Sequence, residues 1–197
     1  YVVGRWFAGA LKRPLPISDP MMDHDVAAVD ATHVLKMTHS SGWNILCRDK
    51  ASLNWDRELK KVRRWLKSNY YSLGREWVYK SIRPRFVVEP FLEVPGGEEL
   101  LDYKFYCFEG APLMLNVDME RFSGHKRNLY DLDWNLLPFG YEFPTSSRVI
   151  PRPANLEEMI QVATTLSQGL FFCRVDLFSV AGRTIFGELT FYPSNGF

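Results

Sequence analysis

The chain has 197 residues, 46% of them apolar, enough for one domain or two small subdomains with a core that needs no staple. Lys and Arg number 24 against 23 Asp and Glu, a net +1 with the signs interleaved, which speaks against a phosphate-tracking nucleic-acid binder. No apolar run approaches 18 residues, so no membrane span is expected.

The chain opens at Tyr1 without a methionine or a signal peptide, which fits a fragment and leaves targeting open. Residues 1–31, broken by Pro14, Pro16 and Pro20, read as a connector or the remnant of a larger N-terminal region. Cys47, Cys107 and Cys173 are odd in number, widely spaced and set in apolar strand-like runs. They read as buried free thiols in a reducing compartment, favouring the cytoplasm.

From His33 the pattern sharpens. His33–Met37 and Trp43–Cys47 are strand candidates around the turn-like Thr38–Gly42. A helix is predicted over about 54–70, with Trp55, Leu59, Val62, Leu66 and Tyr70 at helical spacing. Phe86–Leu92 is an apolar strand that Pro90 must end or bend. Tyr103–Phe108 and Leu113–Met119 form a hairpin across Glu109–Pro112, and 122–150 reads as an irregular excursion. A second helix spans about 155–168, with Asn155 and Glu158 resembling a capping box. Phe171–Val180 and Thr184–Phe191 close the chain as a hairpin. Runs of strands with one helix per segment predict an α+β fold with antiparallel sheets.

Three constellations could carry chemistry. If Ala181–Arg183 is a three-residue loop, Asp176 faces Glu188 across the last hairpin, and Arg174 and Thr190 share that face. Opposed carboxylates repel, so either a magnesium ion compensates them or Arg174 pairs with one while the other faces solvent. On the repulsive reading, Asp176→Asn would leave the fold intact or stabilise it. The loop Thr38–Gly42, with Lys36 just before it, is either a phosphate cradle or a plain hairpin turn. Pairing across Glu109–Pro112 sets even-numbered residues of the first strand beside odd-numbered residues of the second. That parity places Asp102, Lys104 and Arg121 on one face, either as a site or as solvated charges. His39 and His125 read as loop-surface residues rather than ligands or bases.

Taken in order, Lys36 and its loop, Val87–Leu92, Asp102-Tyr-Lys104, Arg121, Asp176 and Glu188-Leu-Thr190 resemble the ATP-grasp fold. The wording of Val34–Asn44, Leu101–Gly110 and Gly187–Phe191 resembles the TupA-like ATP-grasp family, linked to teichuronopeptide and other surface-polysaccharide biosynthesis. The resemblance covers about residues 32–197. It implies ATP between two α+β subdomains, 32–90 and 91–197. Lys36 would meet the α/β-phosphates, and Thr38, His39, Ser40, Ser41, Gly42 and Trp43 would close over them. Backbone groups of Glu89, Pro90, Phe91 and Leu92 would read the adenine, and Asp102 or Glu93 the ribose. Lys104, Arg121 and Arg174 would face the γ-phosphate and an acyl phosphate, and Asp176 and Glu188 would hold Mg2+. Thr190 stands where the family pattern has an Asn, so a second magnesium would be held differently, with Asn195 as a helper. The usual N-terminal domain is missing or reduced to 1–31.

The implied activity is ATP-dependent carboxylate–amine ligation through an acyl phosphate, on a small-molecule or glycan carboxylate and an amine. Its rivals are a phosphotransferase on the same fold, with His125 as base, and a non-catalytic glycan-binding module.

Overall fold

The computed structural model describes residues 32–121 and 123–193. The predicted connector and Asn195 lie outside them. The described residues form two compact units, one ending at Phe91 and the other running from Leu92 to Pro193.

In the first unit, β1 (His33–Met37) is the centre of an antiparallel sheet ordered β2-β1-β3, with β2 Asn44–Cys47 and β3 Phe86–Pro90. Alternation puts Leu35, Met37 and Ile45 on the face that meets Val62 and Trp65 of α1 (Trp55–Leu66). Asn54 caps α1, its side chain accepting from the Arg57 N–H at 3.0 Å. The predicted helix over 54–70 stops short: Lys67 and Ser68 donate back to the Arg64 and Trp65 carbonyls, and a separate one-turn helix α2 follows at Tyr71–Gly74. β3 ends at Pro90, which cannot donate to a ladder.

The second unit is a five-stranded antiparallel sheet ordered β6-β5-β4-β7-β8, where β4 is Asp102–Phe108, β5 Ala111–Met119, β6 Lys126–Tyr130, β7 Phe172–Val180 and β8 Arg183–Thr190. Phe105, Leu115, Val117, Val175 and Leu177 of one face pack with Leu156, Met159 and Ala163 of α3 (Leu156–Ser167). β6 lies inside the stretch expected to be irregular. Its side chains alternate, but Lys126-Arg127-Asn128 lacks the apolar residues by which a strand is recognised. Asn155 makes no capping bond, correcting the predicted box. Its amide donates instead to Thr184 Oγ1 at 2.8 Å and its oxygen accepts from Ser179 at 2.7 Å, while Glu158 accepts from Thr184 at 2.7 Å. The polar residues that look like a cap thus fasten α3 to the β7–β8 hairpin.

Both hairpin loops depart from expectation. The β4–β5 and β7–β8 pairs begin at Phe108↔Ala111 and Val180↔Arg183, leaving two-residue turns. Glu109 and Gly110 have φ of 48° and 81°, Ala181 and Gly182 of 50° and 72°. Two successive positive values are the type I′ signature, matching the right-handed twist of the strands.

Each hairpin then carries a β-bulge. In β7–β8 the register slips between Asp176 and Leu177, so Gly187 is the extra residue and Asp176 still faces Glu188. The predicted facing pair forms, though by a shorter loop plus a bulge. In β4–β5 the slip lies between Tyr106 and Cys107, beside Leu113. There it reverses the predicted parity: Asp102 pairs with Asp118 and Lys104 with Asn116, even with even.

Gly187 is at a close approach. A Cβ there would lie 3.0 Å from the Asp176 carbonyl oxygen and 3.0 Å from the Phe178 ring. Gly187→Ala is therefore expected to cost about 1–3 kcal/mol as the bulge is forced apart, read as a lower urea midpoint at unchanged m-value.

Candidate active site

The face of the five-stranded sheet turned away from α3 is polar, and most of it is buried. Register lines up Leu129, Asn116, Lys104, Asp176 and Glu188 across all five strands, with Arg127, Asp118 and Asp102 in the next row. Asp102, Lys104, Asn116, Asp118, Arg127 and Asp176 are each no more than 6% exposed.

Charges so deeply placed must be paired, and they are. The Lys104 ammonium donates to Asp102 and lies 3.1 Å from Asp176 Oδ2 and 3.6 Å from Asp118 Oδ2. Arg174 closes a fork on Asp176, Nε to Oδ1 and Nη2 to Oδ2, both at 2.7 Å. Its Nη2 also lies 3.4 Å from Glu188 Oε1 and 3.3 Å from Thr190 Oγ1, and Thr190 donates to Glu188 Oε1 at 3.0 Å. Arg127 forks onto Asp118 at 2.5 and 2.9 Å and donates to Glu142, and Arg121 donates to Asp102 at 2.9 Å. Asn116 donates to Asp118 at 3.1 Å and accepts from the Tyr106 hydroxyl at 2.9 Å.

These contacts set the protonation states. Burial works against the Lys104 charge, but the carboxylates of Asp176 and Asp102 outweigh it and hold its pKa above the usual value. Burial likewise opposes ionisation of Asp176 and Asp118. Lys104 with Arg174 at the first, and Arg127 with Lys104 at the second, pull both below the usual carboxylate range. Glu188 moves the other way, raised by burial and then by the Asp176 charge. Burial pushes the Tyr106 phenol up to about 12, so it stays a neutral donor.

Opposed Asp176 and Glu188 were expected to repel. Arg174 and Lys104 supply the compensation, which corrects the expected tolerance of Asp176→Asn: removing that charge would strand two buried cations. Asp102, Lys104 and Arg121 do meet, by a route other than strand parity. β5 ends at Met119, and Glu120, at φ 54°, turns the chain so that Arg121 reaches back. Asp118, Asn116 and Arg127 were not anticipated, because the assumed parity put Asp118 and Asn116 on the opposite face. Leu113, the extra residue of that bulge, is an ordinary strand residue and gives no warning in the sequence.

In the first unit, Lys36 lies 2.6 Å from Glu89 on the neighbouring strand. Thr38 is tied to the Arg85 carbonyl by its N–H at 2.9 Å and its hydroxyl at 3.2 Å. His39 is 1% exposed, so the expected surface histidine is a core residue. Its Nε2 bonds the Trp65 carbonyl at 2.9 Å, and it lines an open pocket of mixed character with Ser68, Asn69, Tyr79 and Ile82. Ser40 is buried as well, leaving Ser41 and Gly42 as the exposed part of the loop. Trp43 stacks on Trp65 at 5.7 Å and packs, half-buried, against the core. Pro90 is exposed at the end of β3, Phe91 lies beneath the Arg48 guanidinium at 5.2 Å, and Glu93 is exposed just after Leu92, where the second unit begins. His125, in the second unit, has Nε2 3.4 Å from Asp118 Oδ1, so it too sits at the polar face.

Oxygen donors for a hard cation are present in Glu188, Asp176 and Thr190. The named Glu188 contacts all fall on Oε1, and its side chain is 44% exposed. Magnesium is usually held by one or two carboxylates plus substrate phosphates, so this donor set fits it. Among the described residues no group of three or more His, Cys, Asp or Glu side chains could cage a metal unaided.

Two α+β units with antiparallel sheets, the second carrying a buried charged face, make up an ATP-grasp architecture. The chain belongs to the TupA-like ATP-grasp family, whose model matches residues 10–197. Among solved structures it is similar to a D-alanine–D-alanine ligase from Bacillus anthracis complexed with ATP, at 17% identity and a TM-score of 0.46, covering 90% of this chain and 46% of that one. It is similar also to the Helicobacter pylori D-alanine–D-alanine ligase, at 14% identity and a TM-score of 0.40, covering 87% and 45%. The chain thus spans less than half the length of these ligases. No curated protein matches it. No helix among the described residues is long and apolar enough to cross a membrane.

Proposed function

We propose that the chain carries the nucleotide and phosphoryl-transfer part of an ATP-dependent carboxylate–amine ligase. ATP phosphorylates a carboxylate, and an amine displaces phosphate to form an amide. One observation carries this reading: Lys104, Arg174 and Arg127 on a single sheet face, and Arg121 reaching it from just beyond β5, are each held on a carboxylate partner. Such a face neutralises charge and positions anions, which is most of what phosphoryl transfer asks of a protein. The guanidinium forks of Arg174 and Arg121, held here by Asp176 and Asp102, are of a kind suited to a phosphoryl group and an incoming carboxylate.

Lys36 and the exposed Ser41-Gly42 part of the loop would take the α/β-phosphates, and the backbone of Glu89–Leu92 the adenine. Glu93 suits the ribose better than Asp102, because Asp102 is buried and held by Lys104 and Arg121. Glu188, Asp176 and Thr190 would hold magnesium, which when bound would shield the phosphate charge. Family association points to a uronic-acid sugar or an acidic peptide or glycan, joined to an amino acid or amino sugar in surface-polysaccharide synthesis. The buried free thiols support the cytoplasm: Cys107 and Cys173 face each other in register, yet both are free.

Lys36→Ala separates phosphate binding from stability. Its pair with Glu89 is about one-third exposed on each side, and such pairs contribute at most about 1 kcal/mol. The melting temperature should therefore stay within about 4 °C while ATP affinity falls at least tenfold by calorimetry. Unchanged affinity would remove Lys36 from the phosphate site.

A second reading rests on His125, whose Nε2 near Asp118 would carry the proton and leave Nδ1 as a base for a hydroxyl acceptor. Hydroxylamine trapping distinguishes the two. With ATP and a uronic acid, an acyl phosphate yields a hydroxamate and free phosphate. A phosphoester without hydroxamate would instead establish the hydroxyl transfer.

A further inference from the structure

One guanidinium binds all three side chains to which the proposed function gives the cation. Arg174 and Thr190 are directly opposed in β7–β8, Asp176 and Glu188 form the next pair on the same face, and the bulge at Gly187 keeps them there. Arg174 therefore reaches both Asp176 oxygens at 2.7 Å, Glu188 Oε1 at 3.4 Å and Thr190 Oγ1 at 3.3 Å. Its side chain is 12% exposed and that of Asp176 only 3%, so neither charge is left to water.

A divalent cation needs oxygens of the same three side chains at closer range and in near-ideal geometry. Asp176 Oδ1 accepts from Arg174 Nε, and Oδ2 from Arg174 Nη2 and Lys104, which takes three of the carboxylate's roughly four lone-pair sites. A cation ligated by Asp176 would face the guanidinium across the same carboxylate, two like charges in a site largely shielded from water. The Glu188 carboxylate offers the way in, since its side chain is 44% exposed.

We propose that Arg174 is an internal competitor of the divalent cation: the guanidinium and the metal exclude one another at Asp176, Glu188 and Thr190, and metal binding frees the Arg174 fork for the phosphoryl group. The inference rests on the reading of those residues as the cation site. It makes release of the arginine conditional on arrival of the metal, coupling the two without any movement of the backbone. Lys104 stays with Asp176 throughout, because Asp102 and Asp118 anchor its ammonium from the other side.

Manganese, titrated by its electron paramagnetic resonance signal without nucleotide, provides the test. Arg174→Gln should bind Mn2+ at least about tenfold more tightly than the wild type, within the usual range of coupling between sites. Arg174→Lys, which keeps the charge but not the fork, should gain less. Adding Glu188→Gln to either variant should abolish the gain. Equal Mn2+ affinity in wild type and Arg174→Gln, lost on Glu188→Gln, would overturn the competition and leave the cation site standing. No Glu188-dependent Mn2+ binding in any variant would overturn both. A measurement on the wild type covers the case in which Arg174→Gln fails to fold. Mg2+ should shift the Arg174 Nε–H resonance and speed its hydrogen exchange. A resonance that stays fixed while amides around Glu188 shift would overturn the proposal.

Discussion

Asp176→Asn is expected to abolish ADP production and to lower the melting temperature sharply, although the change is nearly isosteric. Asp176 is 2% exposed and accepts from the Arg174 fork and from Lys104. An asparagine offers one acceptor oxygen and turns an amide donor toward a cation, so a donor meets a donor in a buried site. Breaking a buried ion pair from one side costs about 3–5 kcal/mol, which in a chain of this size means roughly 6–20 °C. Thermal denaturation with and without Mg-ATP measures it. A variant that melts with the wild type would show the Arg174–Asp176 pair to be dispensable, and wild-type turnover would remove Asp176 from the site.

Lys104→Met should reverse the pH dependence of stability. In the wild type, Asp118 and Asp176 titrate below their unfolded values. Their contribution is present in full above about pH 4 and is lost as pH falls through the folded values. Methionine keeps much of the lysine volume but leaves Asp102, Asp118 and Asp176 around an apolar group. Each keeps an arginine, yet the shared cation is gone and like charge now raises the folded pKa values of Asp118 and Asp176. A group raised in this way stabilises below its unfolded pKa and loses that contribution as pH rises. The variant should be about 3–5 kcal/mol less stable than wild type at pH 7, and the gap should narrow as pH falls toward 4. Urea unfolding at pH 7, 6, 5 and 4 would check the sign. A gap constant across that range would mean that Lys104 contributes packing and not charge.

The strands β1 to β5, β7 and β8 and the helix stripes were legible because each presents a hydrophobic period of 2 or 3.6 to one core. So were Lys36, Asp102, Lys104, Arg121, Asp176 and Glu188 as candidates, since their order along the chain carries the family resemblance. β6 was not legible, because Arg127 and Asn128 are polar residues satisfied by tertiary partners: Asp118 and Glu142 for the first, the Ser146 N–H and the Arg148 carbonyl for the second.

The two hairpins show most clearly where local information ends. Glu109-Gly110 and Ala181-Gly182 each fix a type I′ turn, and turn chemistry is local. A bulge further along each hairpin then shifts the pairing by one residue, which moves every later side chain to the other face. At Gly187 an isolated glycine inside a strand signals it, and Asp176 meets Glu188. Beside Leu113 no residue signals it, and the shift carries Asp118 and Asn116 onto the face of Lys104. The sequence by itself determined which residues carry charge and which elements carry them. Only the packed sheet decided which charges meet, because register is settled by burial across five strands and a slip of one residue costs nothing that a single strand can reveal.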